Sequence, residues 1–84
     1  MKMKCNDFDA ELNVDCHYIL RNFWEYYLEK PDANGIAFGF VMGAENELGY
    51  VDLNEIKPYI ISKAKPESCE IMPASGWSWV DTSA

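Results

Sequence analysis

The sequence predicts an α+β domain, and three observations carry that reading. Residues 34–56, NGIAFGFVMGAENELGYVDLNEI, join the most apolar run of the chain to its best helix-start signal. Within the run, Ile36, Phe38, Phe40 and Met42 alternate with Gly35, Ala37, Gly39, Val41 and Gly43, the period-two pattern of a strand with one bulky and one thin face. Upstream, Cys16, Ile19, Leu20, Phe23 and Tyr27 recur at i, i+3, i+4, i+7 and i+11, an apolar stripe at helical spacing. The expected architecture is a long N-terminal helix, a central β-hairpin, a second helix and one or two short C-terminal strands. The alternative is an all-α domain in which Gly35, Gly39 and Gly43 form a packing stripe, at a cost of about 1 kcal/mol for each glycine relative to alanine.

In chain order, Met1, Met3 and Cys5 alternate with Lys2, Lys4 and Asn6, so residues 1–12 read as a short edge strand or a flexible start. Residues 13–29 read as the first helix, with Asn13 as N-cap and Asp15 in the first turn. Trp24 and Leu28 widen its stripe, and Tyr18, Glu25 and Tyr26 fall toward the flank or the exposed side. The segment Pro31-Asp-Ala-Asn-Gly35 ends it and turns the chain. The hairpin covers residues 35–51, with its turn in the polar and glycine-rich stretch 43–49.

Asp52 and Glu55 then have the spacing of a capping box, which predicts a helix over residues 53–63 with a slight bend at Pro58. Lys65-Pro66 breaks the pattern, and residues 68–72 read as a short strand. Residues 76–80 alternate again and place Trp77 and Trp79 on one side, and residues 81–84 read as a flexible tail. All 84 residues are expected to form one domain. A chain this short buries only about 60–65% of its unfolded surface, so its three Trp, five Tyr and four Phe must supply most of the core. Any surplus sits on a partner-facing surface.

Fourteen acids against seven bases give a net charge of −7. Two stretches hold acids and no base: Asp7, Asp9, Glu11 and Asp15 between Lys4 and Arg21, and Asp32, Glu45, Glu47, Asp52 and Glu55 between Lys30 and Lys57. Such a chain repels nucleic acid and anionic membranes and favours basic partners. Three cysteines without a CxxC motif give no disulfide framework, MKMK is not followed by an apolar run, and no run approaches the ~18 residues of a membrane span. The expected compartment is the cytoplasm, with reduced thiols.

No constellation of residues carries recognisable catalysis. His17 is the single histidine and stands beside Cys16 in sequence, so on a helix the two cannot face each other as nucleophile and base. On that helix Cys16 is expected in the core and His17 partly exposed. Cys5, Cys16, His17 and Cys69 have the residue types of a zinc site but not its spacings. Glu45 and Glu47 lie in a turn, where nothing desolvates a carboxylate for acid–base work. The chain is therefore read as non-enzymatic, with no catalytic, cofactor or metal-binding residues.

Gly49, Val51, Asp52 and Glu55 resemble the second half of an EF-hand loop over eight residues. That resemblance implies a degenerate EF-hand-like module, with or without calcium. Its first half departs from the family, because Ala44 and Leu48 stand where oxygen ligands are expected and Asn46 alone has one.

The leading functional expectation is an interaction module, an inhibitor or adaptor that binds a basic surface of a nucleic-acid-handling protein. Small acidic inhibitors encoded by phages and mobile elements, DNA mimics and anti-CRISPR proteins among them, are similar in size and charge and occupy sites built for phosphates. The expected contact combines Asp7, Asp9, Glu11, Asp15, Glu45 and Glu47 with an aromatic anchor, Trp77 or Trp79. The second expectation is a structural or regulatory homodimer formed through the aromatic face.

Overall fold

A computed structural model describes residues 1–7, 9–66 and 72–80 of the chain. The strand expected over 68–72, apart from Met72, together with Cys69 and the tail 81–84, lies outside the described residues. Among the described residues eight strands form two antiparallel sheets: β1 (Lys2–Cys5), β2 (Glu11–Asn13), β3 (Cys16–Leu20), β4 (Glu25–Leu28), β5 (Ile36–Met42), β6 (Asn46–Asp52), β7 (Ile60–Ala64) and β8 (Trp77–Trp79). The smaller sheet has the order β2-β1-β8 and the larger β6-β5-β4-β3-β7. A single α-helical turn, α1 (Leu53–Ile56), and a 3-10 turn (Lys57–Tyr59) connect β6 to β7.

The long N-terminal helix is thus corrected, and with it the α+β class and the all-α alternative. Residues 13–29 hold the end of β2, all of β3, a tight turn and β4. The helical stripe misled because β3 and β4 are covered on both faces. Cys16, His17 and Tyr18 are all buried, as are Tyr26, Tyr27 and Leu28. A strand buried on both sides loses its alternation and reads as a continuous apolar run, which periodicity alone does not separate from a helix. His17 is therefore not partly exposed: it stacks on Tyr27 with ring centroids 4.4 Å apart. Its Nε2 lies 2.9 Å from Glu25 Oε1.

The central hairpin forms, with Ile36 paired to Asp52 and Met42 to Asn46, but its turn is 43–45 and not 43–49, because residues 46–49 already pair with β5. Its bulky face lies between the sheets, where Phe38, Phe40 and Met42 join Met3, Cys5, Leu12, Val14, Tyr27 and Trp77. Its thin face lies under the helix, where Ala37 and Val41 join Cys16, Tyr18, Leu20, Tyr26 and Leu28. Gly39 is thin by necessity: a Cβ there would stand 2.2 Å from the Tyr27 carbonyl oxygen. The N-terminal segment is not an edge, since β1 is the middle strand of its sheet and Met3 is fully buried.

The second helix starts where expected and stops early. Asp52 Oδ1 accepts from the Asn54 N–H at 2.9 Å, the N-cap bond. The Leu53 N–H donates to the Gly35 carbonyl at 2.9 Å, which ties α1 to the β4–β5 turn. Pro58 falls in the 3-10 turn, and instead of a bend the chain leaves the helix and adds β7 to the sheet edge beside β3. Tertiary pairing overrides the helical pattern of 53–63. Of the eight residues that resemble half of an EF-hand loop, 49–52 belong to β6 and 53–56 to α1, so a strand stands where the loop would be and no helix–loop–helix is built there.

Candidate functional site

β3, β4, β5 and β6 form a meander, so the β3–β4 turn and the β5–β6 turn lie at the same end of the large sheet. The first turn is Leu20 to Trp24. The Leu20 N–H donates to the Trp24 carbonyl at 2.9 Å, the Phe23 N–H to the Leu20 carbonyl at 2.8 Å, and the Trp24 N–H to Asn22 Oδ1 at 3.2 Å. A three-residue hairpin loop of this kind needs a left-handed residue at its third position, where glycine is favoured. Here that residue is Phe23, at φ 65°. The conformation costs a non-glycine residue about 1–2 kcal/mol. The phenyl ring is also 79% exposed, so no burial offsets that cost. A strained backbone that holds a large apolar ring in water is the usual mark of a functional position.

Around Phe23 the end of the sheet continues as an aromatic and acidic surface. The Arg21 N–H donates to the Tyr59 carbonyl at 2.8 Å, which docks the 3-10 turn, and its exposed Tyr59, beside the hairpin loop. The Trp24 indole lies on the backbone of Gly43, where a Cβ would come within 2.6 Å of it. Gly43 opens the turn that carries Glu45 and leads to Glu47, both exposed. Tyr26, Val41 and Glu47 are neighbours across three strands. The Tyr26 hydroxyl is pushed above its ordinary pKa of 10.0, first by burial and then by the charge of Glu47. Trp24, Tyr26, Glu55, Ile56 and Tyr59 share a shallow depression of about 370 Å³ with Leu20, Arg21 and Asn22.

The structure scatters the residues expected at the site. Asp7 and Asp9 lie exposed in the β1–β2 loop, and Glu11 points outward from β2 opposite Lys4. Asp15 is half-buried, 3.9 Å from Lys65 Nζ, well apart from Glu45 and Glu47 in the fold. Trp77 is core: it is 4% exposed and packs on Phe40 at 5.1 Å. Trp79 is half-buried beside Tyr27, with ring centroids 6.5 Å apart. The aromatic side chains at the Glu45 end of the sheet are Phe23, Trp24 and Tyr59, all three in segments that the sequence pattern reads as helical. The polar Arg21-Asn22 pair between two aromatic runs was the available signal, because asparagine favours turns.

Cys5 and Cys16 are buried free thiols. They belong to different cores, one on each side of the large sheet, and cannot share a metal. Among the described residues no three His, Cys, Asp or Glu side chains converge as metal ligands. Among the described residues no helix is long and apolar enough to cross a membrane. No family model, curated protein or solved structure matches this chain.

Proposed function

We propose that this protein is a non-enzymatic interaction module of the cytoplasm, and that it binds a basic, phosphate-handling surface of another protein through the end of its large sheet. The observation that carries this reading is that Phe23, held outward at a positive φ, lies at the same end of the sheet as Glu45 in the β5–β6 turn and Glu47 at the start of β6. Exposed carboxylates steer a basic partner into encounter, and aromatic side chains supply the contacts that slow dissociation. Arg21 is the one base in the cluster, and Glu55 beside Trp24 adds a third acid.

The test begins with capture of a partner from the source cell on the intact chain. Association kinetics of the captured protein are then measured at low and high salt. Joint Glu45→Lys and Glu47→Lys substitution should slow association and flatten its salt dependence while the thermal midpoint stays put. Phe23→Gly should leave association unchanged and accelerate dissociation. If neither change alters the kinetics, the sheet end is not the binding face.

A homodimer is the second reading, favoured by β6. It is a seven-residue edge strand with Tyr50 79% exposed. Antiparallel self-pairing about Gly49 would set Glu47 opposite Val51 and so avoid opposed acids. Sedimentation velocity of the isolated chain decides it, and a concentration-independent monomer removes it.

A further inference from the structure

A second concave region lies on the helix side of the large sheet and shares no residue with the sheet end. It is a groove of about 560 Å³, within the usual size range of small-molecule sites. Pro31, Leu53 and Ile60 give it apolar walls, and the Leu53 N–H bond to Gly35 holds one wall in place. Its polar character is opposite to that of the whole chain. Lys57, Lys63 and Lys65 line it, three of the seven bases in a protein of net charge −7. Among the described residues Asp15 is the one carboxylate in the lining, and it faces Lys65 at 3.9 Å. Among the described residues Lys57 and Lys63 have no ion pair.

Asp15 offsets one of the three lysines, and the other two leave the lining with a positive balance that favours an anion. Lys63 is paired across strands with Tyr18, so its side chain emerges next to that phenol. Tyr18 is 7% exposed and lines the groove with Cys16 beside it. Burial first, and then the neighbouring Cys16 and Asp15, push its hydroxyl up to about 12. Its hydroxyl, which hydrogen-bonds Cys16, is a neutral donor on the groove lining that an anionic acceptor can share. Apolar walls, a buried donor and a cationic rim are complementary to one kind of molecule.

We propose that this groove binds a small organic anion, with an apolar body against Pro31, Leu53 and Ile60 and a carboxylate or phosphate head between Lys57, Lys63 and Tyr18. The ammonium groups supply charge-assisted hydrogen bonds to the head, and the walls desolvate the tail.

Octanoate and octyl phosphate are the probes, with octylammonium as the oppositely charged control, each titrated by calorimetry to about 5 mM, the range of weak specific binding. Amide shifts in nitrogen-15 spectra locate the site. Saturable binding of either anion, with shifts at Cys16, Tyr18, Leu53 and Lys63, is the expected result. Which of the two binds more tightly tells a carboxylate from a phosphate site. Joint Lys57→Gln and Lys63→Gln substitution should weaken it about tenfold or more without moving the thermal midpoint, since both side chains are solvent-facing. Three outcomes would overturn the proposal: no saturable binding, equal binding of octylammonium, or unchanged affinity in the double variant.

Discussion

The sheet end and the helix-side groove both lie on the five-stranded sheet and have opposite characters. At the sheet end, side chains project from turns into water: Phe23 from a strained backbone, Tyr59 from the 3-10 turn, Glu45 and Glu47 from a hairpin. In the groove, side chains converge on a buried phenol, and the charge is supplied by lysines. A convex acidic tip suits a macromolecule, and a concave basic groove suits a small anion. Net charge conceals this division, because a total of −7 says nothing about where the minority charge collects. The acids expected to act together are dispersed, and three bases that lie within nine residues, Lys57, Lys63 and Lys65, line one groove.

The largest effect should come from a substitution that harms both regions at once. Gly39→Ala forces a Cβ to 2.2 Å from the Tyr27 carbonyl, a clash with backbone that no rotamer relieves. A loss of about 3 kcal/mol in chemical denaturation is expected, the upper part of the overpacking range, with both binding activities falling together. Retention of one activity in the folded fraction would show that the regions do not share this support.

Alkaline pH should come next, and it separates the two faces of the sheet. Tyr18, under the groove, and Tyr27, between the sheets, are both pushed up to about 12, chiefly by burial. The unfolded chain releases these protons near 10, and the folded chain holds them to about 12. The folded state therefore has their full contribution below pH 10 and loses it as pH rises from about 10 to 12. Tyr18→Phe should shrink this decline in stability while Tyr27 retains its share, and denaturation series across that window measure both.

Asp52→Ala tests chiefly the groove. It removes the N-cap bond to Asn54 and should cost roughly 0.5–2 kcal/mol. Octyl phosphate binding should weaken, because Leu53 and Asn54 line the groove, and the partner kinetics should change less, through Glu55 and Ile56 of the same turn.

Phe23→Gly tests the sheet end alone, and its two effects should have opposite signs. Relief of the positive φ outweighs the extra entropy of an unfolded glycine, so stability should rise by roughly 0.5–1 kcal/mol. Dissociation of the partner should quicken. A residue kept for the fold would lose stability on this change, so a fall in the melting midpoint would assign Phe23 a structural role instead.

Some features were legible because they depend on neighbours in sequence. The alternation of Ile36, Phe38, Phe40 and Met42 marked a strand and its core-facing side, since the two-residue period holds wherever a strand lies. Asp52 announced a helix start, because the cap bond reaches only two residues ahead. Pro31 to Gly35 announced a turn, and Asp32 Oδ1 indeed accepts from the N–H groups of Asn34 and Ile36 at 2.8 and 3.0 Å.

What tertiary structure decided was which pattern prevails where two fit. Residues 16–28 carry a helical stripe and also two strands, and the small sheet on one side and the helix on the other selected the strands by burying both faces. Residues 60–64 continue a capped helix in sequence, yet the open edge of β3 offered a ladder of backbone hydrogen bonds and took them. Trp77 went to the core because β8 pairs with β1 and faces Phe40. The sequence alone set the local geometry of caps and turns, where the partner groups lie a few residues apart. The assignment of faces, and so the position of every charge around the two regions, came from pairings between segments distant in sequence, whose relative stabilities no local pattern records.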